Sequence, residues 1–524
     1  MRFFNTAGPC EPSRNYMIPA AERLPEARRL IAQSNYFVVH APRQTGKTTT
    51  LRALARELTA EGKYTALHFS CETGEPAGDD YEQAQLALLT DMRSRAGIEL
   101  PPELQPPPWP DAPALSILGE AIKSWAHASP RPLVLFFDEI DALRGESLRS
   151  VLRQLRAGYA DRPTGFPAAI VLCGLRDVRD YKAASGGDPN RLGTASPFNV
   201  KVDSLRLGDF TEDEVRALYR QHTDETGQPF TEAAVKKAFE VTQGQPWLVN
   251  ALAREIVEKM RIAPPLPITD ENVDQAKERL ILARATHLDS LVARLQEPRV
   301  RRVVEPVIAG DVVVSDSYDD DVAYVRDLGL VARTNPLRIA NPIYREVIVR
   351  VLSSAVEGNV TVEPKSFVRP DGTLDFPRLL DEFVAFWKEH GDVLAAGLPY
   401  HEAAPQLVLM AFLQRVVNGG GYVDREYGVG RGRIDVCVRW PHRDANGKRV
   451  WQREALELKV WAKGRPDPLA RGLTQLEGYL DALGLDRGVL VIFDRRPEAK
   501  PIEERTKFEE AKTAKGYAVT VLRA

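Results

Sequence analysis

Cysteine is scarce in this chain of 524 residues: Cys10, Cys71, Cys173 and Cys437 stand far apart and form no CxxC pair. That excludes a disulfide framework and a cysteine-based zinc site, and leaves the thiols as reduced, mostly packing residues. No run of about 18 apolar residues exists that could span a bilayer. The first ten residues, MRFFNTAGPC, lack the apolar core of a signal peptide, so a cytoplasmic protein with no membrane partner is expected. The eight histidines, His401 beside Glu402 included, fall in no HxxxH or other ligand spacing. Charge of one sign is also missing. A net charge of −3 argues against nucleic acid coating the whole molecule, and leaves room for a local basic patch.

What is present is an ordinary globular composition, 44% hydrophobic and 27% charged, in a chain too long for one core, so two to four domains are expected. From Tyr36 to Pro132, short apolar runs (YFVVH, YTALHFS) alternate with helical stretches, the rhythm of a parallel α/β sheet. The runs Leu133 to Phe137 and Ala168 to Cys173 are continuously apolar, as in strands covered on both faces. The proline-dense stretch LPPELQPPPWPDAP, 100–113, suits a surface insertion. Thr211 with Glu214 is a capping-box signal, Thr231 a second helix start, and APPLPITD (263–270) a hinge.

The segment APRQTGKT follows the strand YFVVH and opens a helix. Consecutive backbone N–H groups at a helix N-terminus cradle phosphates, a lysine neutralises them and a hydroxyl helps hold Mg²⁺. Gln44, Thr45, Gly46, Lys47, Thr48 and Thr49 are therefore the expected ATP-binding residues, with Ala41 where the first glycine usually stands. The apolar strand LVLFFDEID ends in Asp138, placed to hold Mg²⁺ through water, and Glu139, placed to polarise the attacking water.

These motifs resemble the AAA+/STAND superfamily, and particularly its "AAA-like" ATPases whose loop reads PRQTGKT. The resemblance implies a sensor after the next strand (Arg176 in IVLCGLRDVRD), a lid element GQPWLVN bringing Gly244 and Pro246 toward nucleotide, adenine-flanking residues Tyr16 and Met17, and a homo-oligomer.

A second pattern lies near the C-terminus. In GRIDVCVRW, Asp435 shares a face with Cys437 and Arg439; in VWQREALELKVW, Glu457 and Lys459 share a face. With Asn446-Gly447 as a hairpin signal between the two strands, pairing makes Asp435, Glu457 and Lys459 converge. Two carboxylates that bind Mg²⁺ or Mn²⁺, with a lysine beside them, are a phosphodiester-hydrolysing arrangement. A preceding helix beginning near Glu402, with Leu407, Met410, Phe412, Leu413 and Val417 as its apolar face, and the later QLEGY complete the order. The set resembles the PD-(D/E)XK nuclease superfamily over roughly the last 130 residues, which implies catalytic roles for Glu402, Gln475 and Tyr479 as well; Ile434 replaces the family's proline. Between Arg425 and Arg471 there are 12 Lys/Arg against 6 Asp/Glu, with Tyr427, Trp440, Trp451 and Trp461 interleaved, a composition suited to a nucleic-acid backbone and most simply DNA.

Between the two, residues 296–356 suit a winged helix. Its helix near Asp320 carries Asp319, Asp320, Asp321 and Asp327 against Arg326, which favours a protein partner over DNA. The expected architecture is a multidomain α/β protein: a P-loop NTPase parallel sheet (1–205), helical lid (206–262), helical linker (263–295), winged helix (296–356), linker (357–380) and a C-terminal α/β restriction-endonuclease-like domain (381–524). The expected function is ATP binding and hydrolysis regulating a metal-dependent nuclease, in defence against foreign DNA. The alternatives are a signalling ATPase whose C-terminal domain binds nucleic acid or protein without cleaving, and a motor or helicase.

Overall fold

The computed structural model describes residues 2–175, 201–283, 286–308, 319–357, 367–397, 404–417, 420–429, 432–444 and 446–524. They divide into two compact units, Met1–Leu280 with Asp327–Gly329, and Ile281–Arg326 with Leu330–Ala524.

The first unit is built on a parallel five-stranded sheet: β1 (Tyr36–His40), β2 (Thr65–Ser70), β3 (Leu133–Asp138), β4 (Ala169–Gly174) and β5 (Lys201–Arg206), in the order β2-β3-β4-β1-β5. Alternate residues of each strand feed opposite layers. Tyr36, Val38, Leu135 and Phe137 join the helices Tyr81–Glu99, Ile117–Ala128 and Gly145–Ala157 on one face. Phe37, Val39, Val134 and Phe136 join Pro25–Ala32 and Lys47–Ala60 on the other. Burial on both faces explains why these strands are continuously apolar in sequence.

The proline-dense stretch carries no α-helix or strand, yet it is not simply surface. Leu104 is buried, its carbonyl accepts the Trp125 indole N–H at 3.1 Å, and Trp109 packs against the same core. After the sheet come three helices, Glu212–Thr226, Glu232–Thr242 and Pro246–Arg254. Thr211 and Glu214 form the reciprocal capping box, and the Thr231 hydroxyl caps the next helix. The proposed hinge is tied down. Gln228 donates to the carbonyls of Ile262 and Leu266, and Ile268 exchanges backbone bonds with Pro229 and Thr231. Gly244 has φ +75°, and a Cβ there would lie 1.8 Å from the Phe210 carbonyl oxygen, so only glycine lets the chain cross at this point.

The second unit begins with helices Thr286–Arg294, Pro298–Ile308, Asp320–Asp327 and Pro342–Glu357, with an antiparallel bridge between Val331 and Ile339. The acidic start of the third helix is neutralised internally: Arg302 reaches Asp319 and Asp321, and Arg299 reaches Asp321. Helices Phe376–Gly397 and Ala404–Val417 follow. The latter is not amphipathic. Every residue from Leu407 to Leu413 is buried, because Pro342–Glu357 and Phe376–Gly397 both pack on it.

A six-stranded mixed sheet closes the unit: β6 (Tyr422–Val429), β7 (Gly432–Arg443), β8 (Arg449–Trp461), β9 (Arg487–Asp494), β10 (Lys507–Lys512) and β11 (Ala518–Arg523), in the order β10-β11-β9-β8-β7-β6. β7 and β8 form an antiparallel hairpin whose turn is organised by Asp444. Its carboxylate accepts the N–H groups of Asn446 and Lys448, and Gly447 takes a positive φ of 75°. β8 runs parallel to β9, and the helix Leu469–Leu483 makes the crossover and covers the face bearing Cys437, Ala455, Leu490 and Ile492.

Candidate functional site

In the first unit the carboxyl ends of β1 and β3 converge on a cleft of about 580 Å³. Gln44, Gly46, Lys47, Thr48 and Thr49 line it; Thr45 is buried, and its hydroxyl donates to the Pro42 carbonyl at 2.9 Å. The loop takes left-handed backbone at Gln44 (φ 59°) and Gly46 (φ 88°). Ala41 is not among the positive-φ residues and its methyl sits in the core, so the departure from glycine leaves the loop unstrained. The Lys47 ammonium donates to the carbonyls of Ala41 and Pro42, at 3.0 and 3.1 Å.

Asp138 ends β3 almost fully buried, and its oxygens are all engaged. Oδ2 accepts the Thr48 hydroxyl at 2.7 Å and lies 2.9 Å from His68 Nε2, while Oδ1 accepts the Glu139 N–H at 3.0 Å. Burial raises the Asp138 carboxyl, but the bond and charge of His68, helped by Thr48 and Cys173, outweigh it and hold it below the usual range. Glu139 is set apart by a left-handed backbone, φ 52°. Burial, moderated by Lys47 and reinforced by Asp138, Asp141 and Glu72, pushes its carboxyl up to about 7. A hydroxyl and an ionised carboxylate side by side are a hard oxygen set that fits Mg²⁺.

Pro246 and Met17 line the same cleft. Gln221 holds the Met17 backbone from both sides, accepting its N–H at 3.3 Å and donating to its carbonyl at 2.9 Å. Tyr16 also lines the cleft, but its ring is 1% exposed and packs with Phe4 and His222. Arg176 lies outside the described residues.

Three contributors have no motif in the sequence. His68 comes from β2, and only its position near the end of an apolar strand hinted at a cleft. Arg23 donates to the loop carbonyl of Thr45 at 2.9 Å and to Gly208 at 2.5 Å, and lies over the Phe210 ring. The segment Asn5–Cys10 walls the cleft, with the Cys10 N–H on the Thr49 hydroxyl at 3.0 Å and the Thr6 carbonyl on the Trp247 indole at 2.9 Å.

In the second unit the hairpin register brings the other candidates together. Val436 pairs with Leu456, so Asp435 and Glu457 are opposed one step further on. The Leu458 N–H donates to Asp435 Oδ2 at 2.9 Å, and Lys459 Nζ lies 2.5 Å from Glu457 Oε1, 3.7 Å from Asp435 Oδ2 and 3.2 Å from the Leu458 carbonyl. Glu457 is 1% exposed, and its Oε2 has no hydrogen-bond partner among the described residues. Burial first, then Asp435, raises its carboxyl; Lys459 opposes them.

On the covering helix, Gln475 has a buried Oε1 without a partner among the described residues, and Tyr479 packs against the same core. An orphaned buried carboxylate oxygen beside a second carboxylate fits a divalent cation. Among the described residues no group of three or more His, Cys, Asp or Glu is placed for a metal, and Glu402 lies outside them.

The aromatic side chains among the basic residues are largely committed. Trp440 is buried with its indole on the Gly372 carbonyl, Trp451 lies under Arg439 and Arg449, and Trp461 lies under Arg496 at 3.4 Å. Among the described residues no helix is long and apolar enough to cross a membrane.

The solved structures similar to this chain include a Walker-type ATPase of Pyrococcus abyssi (13% identity, TM-score 0.47, covering 66% of this chain and 99% of that one). They also include the ORC2 protein of Aeropyrum pernix in ADPNP-ADP complexes (15%, TM-score 0.38, 67% and 96%). A third is the Holliday junction branch migration motor RuvB of Thermotoga maritima (14%, TM-score 0.34, 63% and 93%). No curated protein matches the chain. The model of the AAA domain matches residues 31–181, so the first unit carries an AAA-type P-loop ATPase domain.

Proposed function

We propose that this ATPase regulates a metal-dependent nuclease centre in the second unit, formed by Asp435, Glu457 and Lys459. The observation that carries the reading is the convergence of the three side chains: Lys459 Nζ lies 2.5 Å from Glu457 Oε1 and 3.7 Å from Asp435 Oδ2, and the other Glu457 oxygen, Oε2, is buried with no hydrogen-bond partner among the described residues. Asp435 and Glu457 would hold Mg²⁺ or Mn²⁺. The bound ion supplies charge stabilisation and a more acidic water. Lys459, fixed by Glu457 and the Leu458 carbonyl, places a positive charge beside a phosphodiester as negative charge develops on its oxygens. Gln475 and Tyr479 extend from the helix that covers this face.

The substrate in this reading is DNA, foreign DNA being the target, and the ATPase acts as a homo-oligomer. The helices of 296–356, where Asp319 and Asp321 are already paired with Arg299 and Arg302, suit a protein partner better than phosphate. In the first unit, Lys47 and the loop N–H groups bind the triphosphate, and Glu139 takes the proton of the attacking water.

The test uses the full chain with Mg²⁺ or Mn²⁺ and single- and double-stranded DNA and RNA, with ATP, ADP or no nucleotide. Cleavage that depends on nucleotide and falls by about 100-fold or more in Asp435→Asn is expected, since even outer-sphere changes at metal sites cost 10–100-fold. Intact substrates under every condition, with Asp435→Asn binding DNA as the wild type does, would instead favour the non-cleaving platform. The absence of a three-ligand group among the described residues is the observation on that side.

A further inference from the structure

We infer that His68 is a positioning residue for the ATPase, orienting the Asp138 carboxylate toward the metal of the Mg²⁺–ATP complex. The inference rests on the assignment of Asp138 and Thr48 as the metal-facing pair of the first unit.

Three features distinguish His68 from a packing histidine. It lies on β2, whose register with β3 pairs Ser70 with Asp138 and His68 with Phe136, so its ring reaches diagonally across one sheet face to the carboxylate. Its Nε2 is 2.9 Å from Asp138 Oδ2, the same oxygen that takes the Thr48 hydroxyl at 2.7 Å. It also lines the cleft in company with Ser70, Lys47 and Glu139, and its side chain is only 10% exposed.

An ionised carboxylate only accepts hydrogen bonds, so the bond requires the proton on Nε2. Oδ1 is fixed by the Glu139 N–H, a bond that alone permits the carboxylate to swing about it. The bonds to Oδ2 define the plane of the group. The Thr48 hydroxyl is itself a metal-facing oxygen, so its bond is the one that a metal perturbs. His68 faces Asp138 from another strand and keeps its bond when Thr48 turns to the cation. This is the outer-sphere logic of metal sites with carboxylate and imidazole exchanged: here the carboxylate faces the metal and the imidazole steers it.

A positioning role predicts a specific failure. In His68→Ala the chain still binds ATP in EDTA within about twofold of wild type, because the loop N–H groups and Lys47 are untouched, while the strengthening by Mg²⁺ falls about 10–100-fold. The measurement is the affinity of the full chain for a fluorescent ATP analogue, with a Mg²⁺ titration in one arm and EDTA in the other. His68→Gln puts an amide N–H near the same place and restores most of the Mg²⁺ effect, which separates lost orientation from lost folding. Unchanged Mg²⁺ dependence in His68→Ala overturns the inference. So does equal weakening in both arms by both variants, which would mark a packing role. Wild-type binding indifferent to Mg²⁺ would remove the metal from the cleft, and the inference with it.

Discussion

The two carboxylate sites of this chain solve the burial of negative charge in opposite ways. Asp138 is buried with both oxygens saturated by Thr48, His68 and the Glu139 N–H, and its carboxyl is held below the usual range. Glu457 is equally buried, but one oxygen has no partner among the described residues, its carboxyl is raised, and the relief comes from a lysine. The first site satisfies its carboxylate from within the fold; the second is left short of positive charge. Burying charge is costly unless hydrogen bonds and opposite charges replace the lost water, so unmet demand of this kind is where a ligand gains most.

The largest expected effect tests whether the saturated site is a working one. Glu139→Gln should reduce ATP hydrolysis by about 10²–10⁴-fold, the usual range for a lost general base, while ATP affinity stays near wild type. A retained rate in a steady-state phosphate-release assay would remove Glu139 from the chemistry. In the wild type, the Glu139 carboxyl near 7 makes the base mostly neutral at acid pH, so kcat/KM for ATP should rise about tenfold per pH unit below 7 and flatten above it. A flat profile from pH 5.5 to 8.5 would break that assignment.

The comparison itself predicts stability changes of opposite sign. A carboxyl depressed on folding stabilises above its unfolded value of 3.8 and loses that contribution as pH falls, so Asp138→Asn should lower the melting temperature at pH 7.5. A raised carboxyl destabilises increasingly as pH climbs above its unfolded value of 4.5, so Glu457→Gln should raise the melting temperature of the metal-free chain at pH 7.5. The gain should vanish below about pH 4, where both states hold the proton. Excess Mn²⁺ should reverse the ranking, since only the wild type gains from binding. Melting curves with EDTA and with Mn²⁺ decide it, and two shifts of the same sign would erase the distinction between the sites.

The smallest effect concerns the loop. Ala41→Gly should leave ATP affinity unchanged and cost about 0.4–1 kcal/mol in stability, through the extra freedom of the unfolded chain, because Ala41 has no positive φ to relieve. Tighter ATP binding in this variant would show that the methyl restricts the loop after all.

The sequence exposed the first site more readily because a phosphate loop is contiguous: strand, APRQTGKT and helix carry their geometry in one stretch. The doubly covered strands and both helix caps were equally local signals. The Asp435, Glu457 and Lys459 cluster needed one non-local assumption, that β7 and β8 pair in register, and side-chain alternation made that sufficient. His68, Arg23 and the Asn5–Cys10 wall required strand order and chain crossings that no local pattern encodes. The same limit applies to Trp440, whose neighbours in sequence are basic but whose neighbours in space are Gly372, Gly420 and Gly421.

The phosphate loop anchors its own lysine. The Lys47 ammonium donates to the carbonyls of Ala41 and Pro42, so its position is set by the strand end and the first turn of the loop rather than by its flexible side chain alone. Neutral carbonyls are weaker partners for an ammonium than phosphate oxygens are, so these two bonds hold the lysine without committing it. The anchoring fixes where the ammonium stands, at the end of β1 and in the same cleft as Glu139 and Asp138.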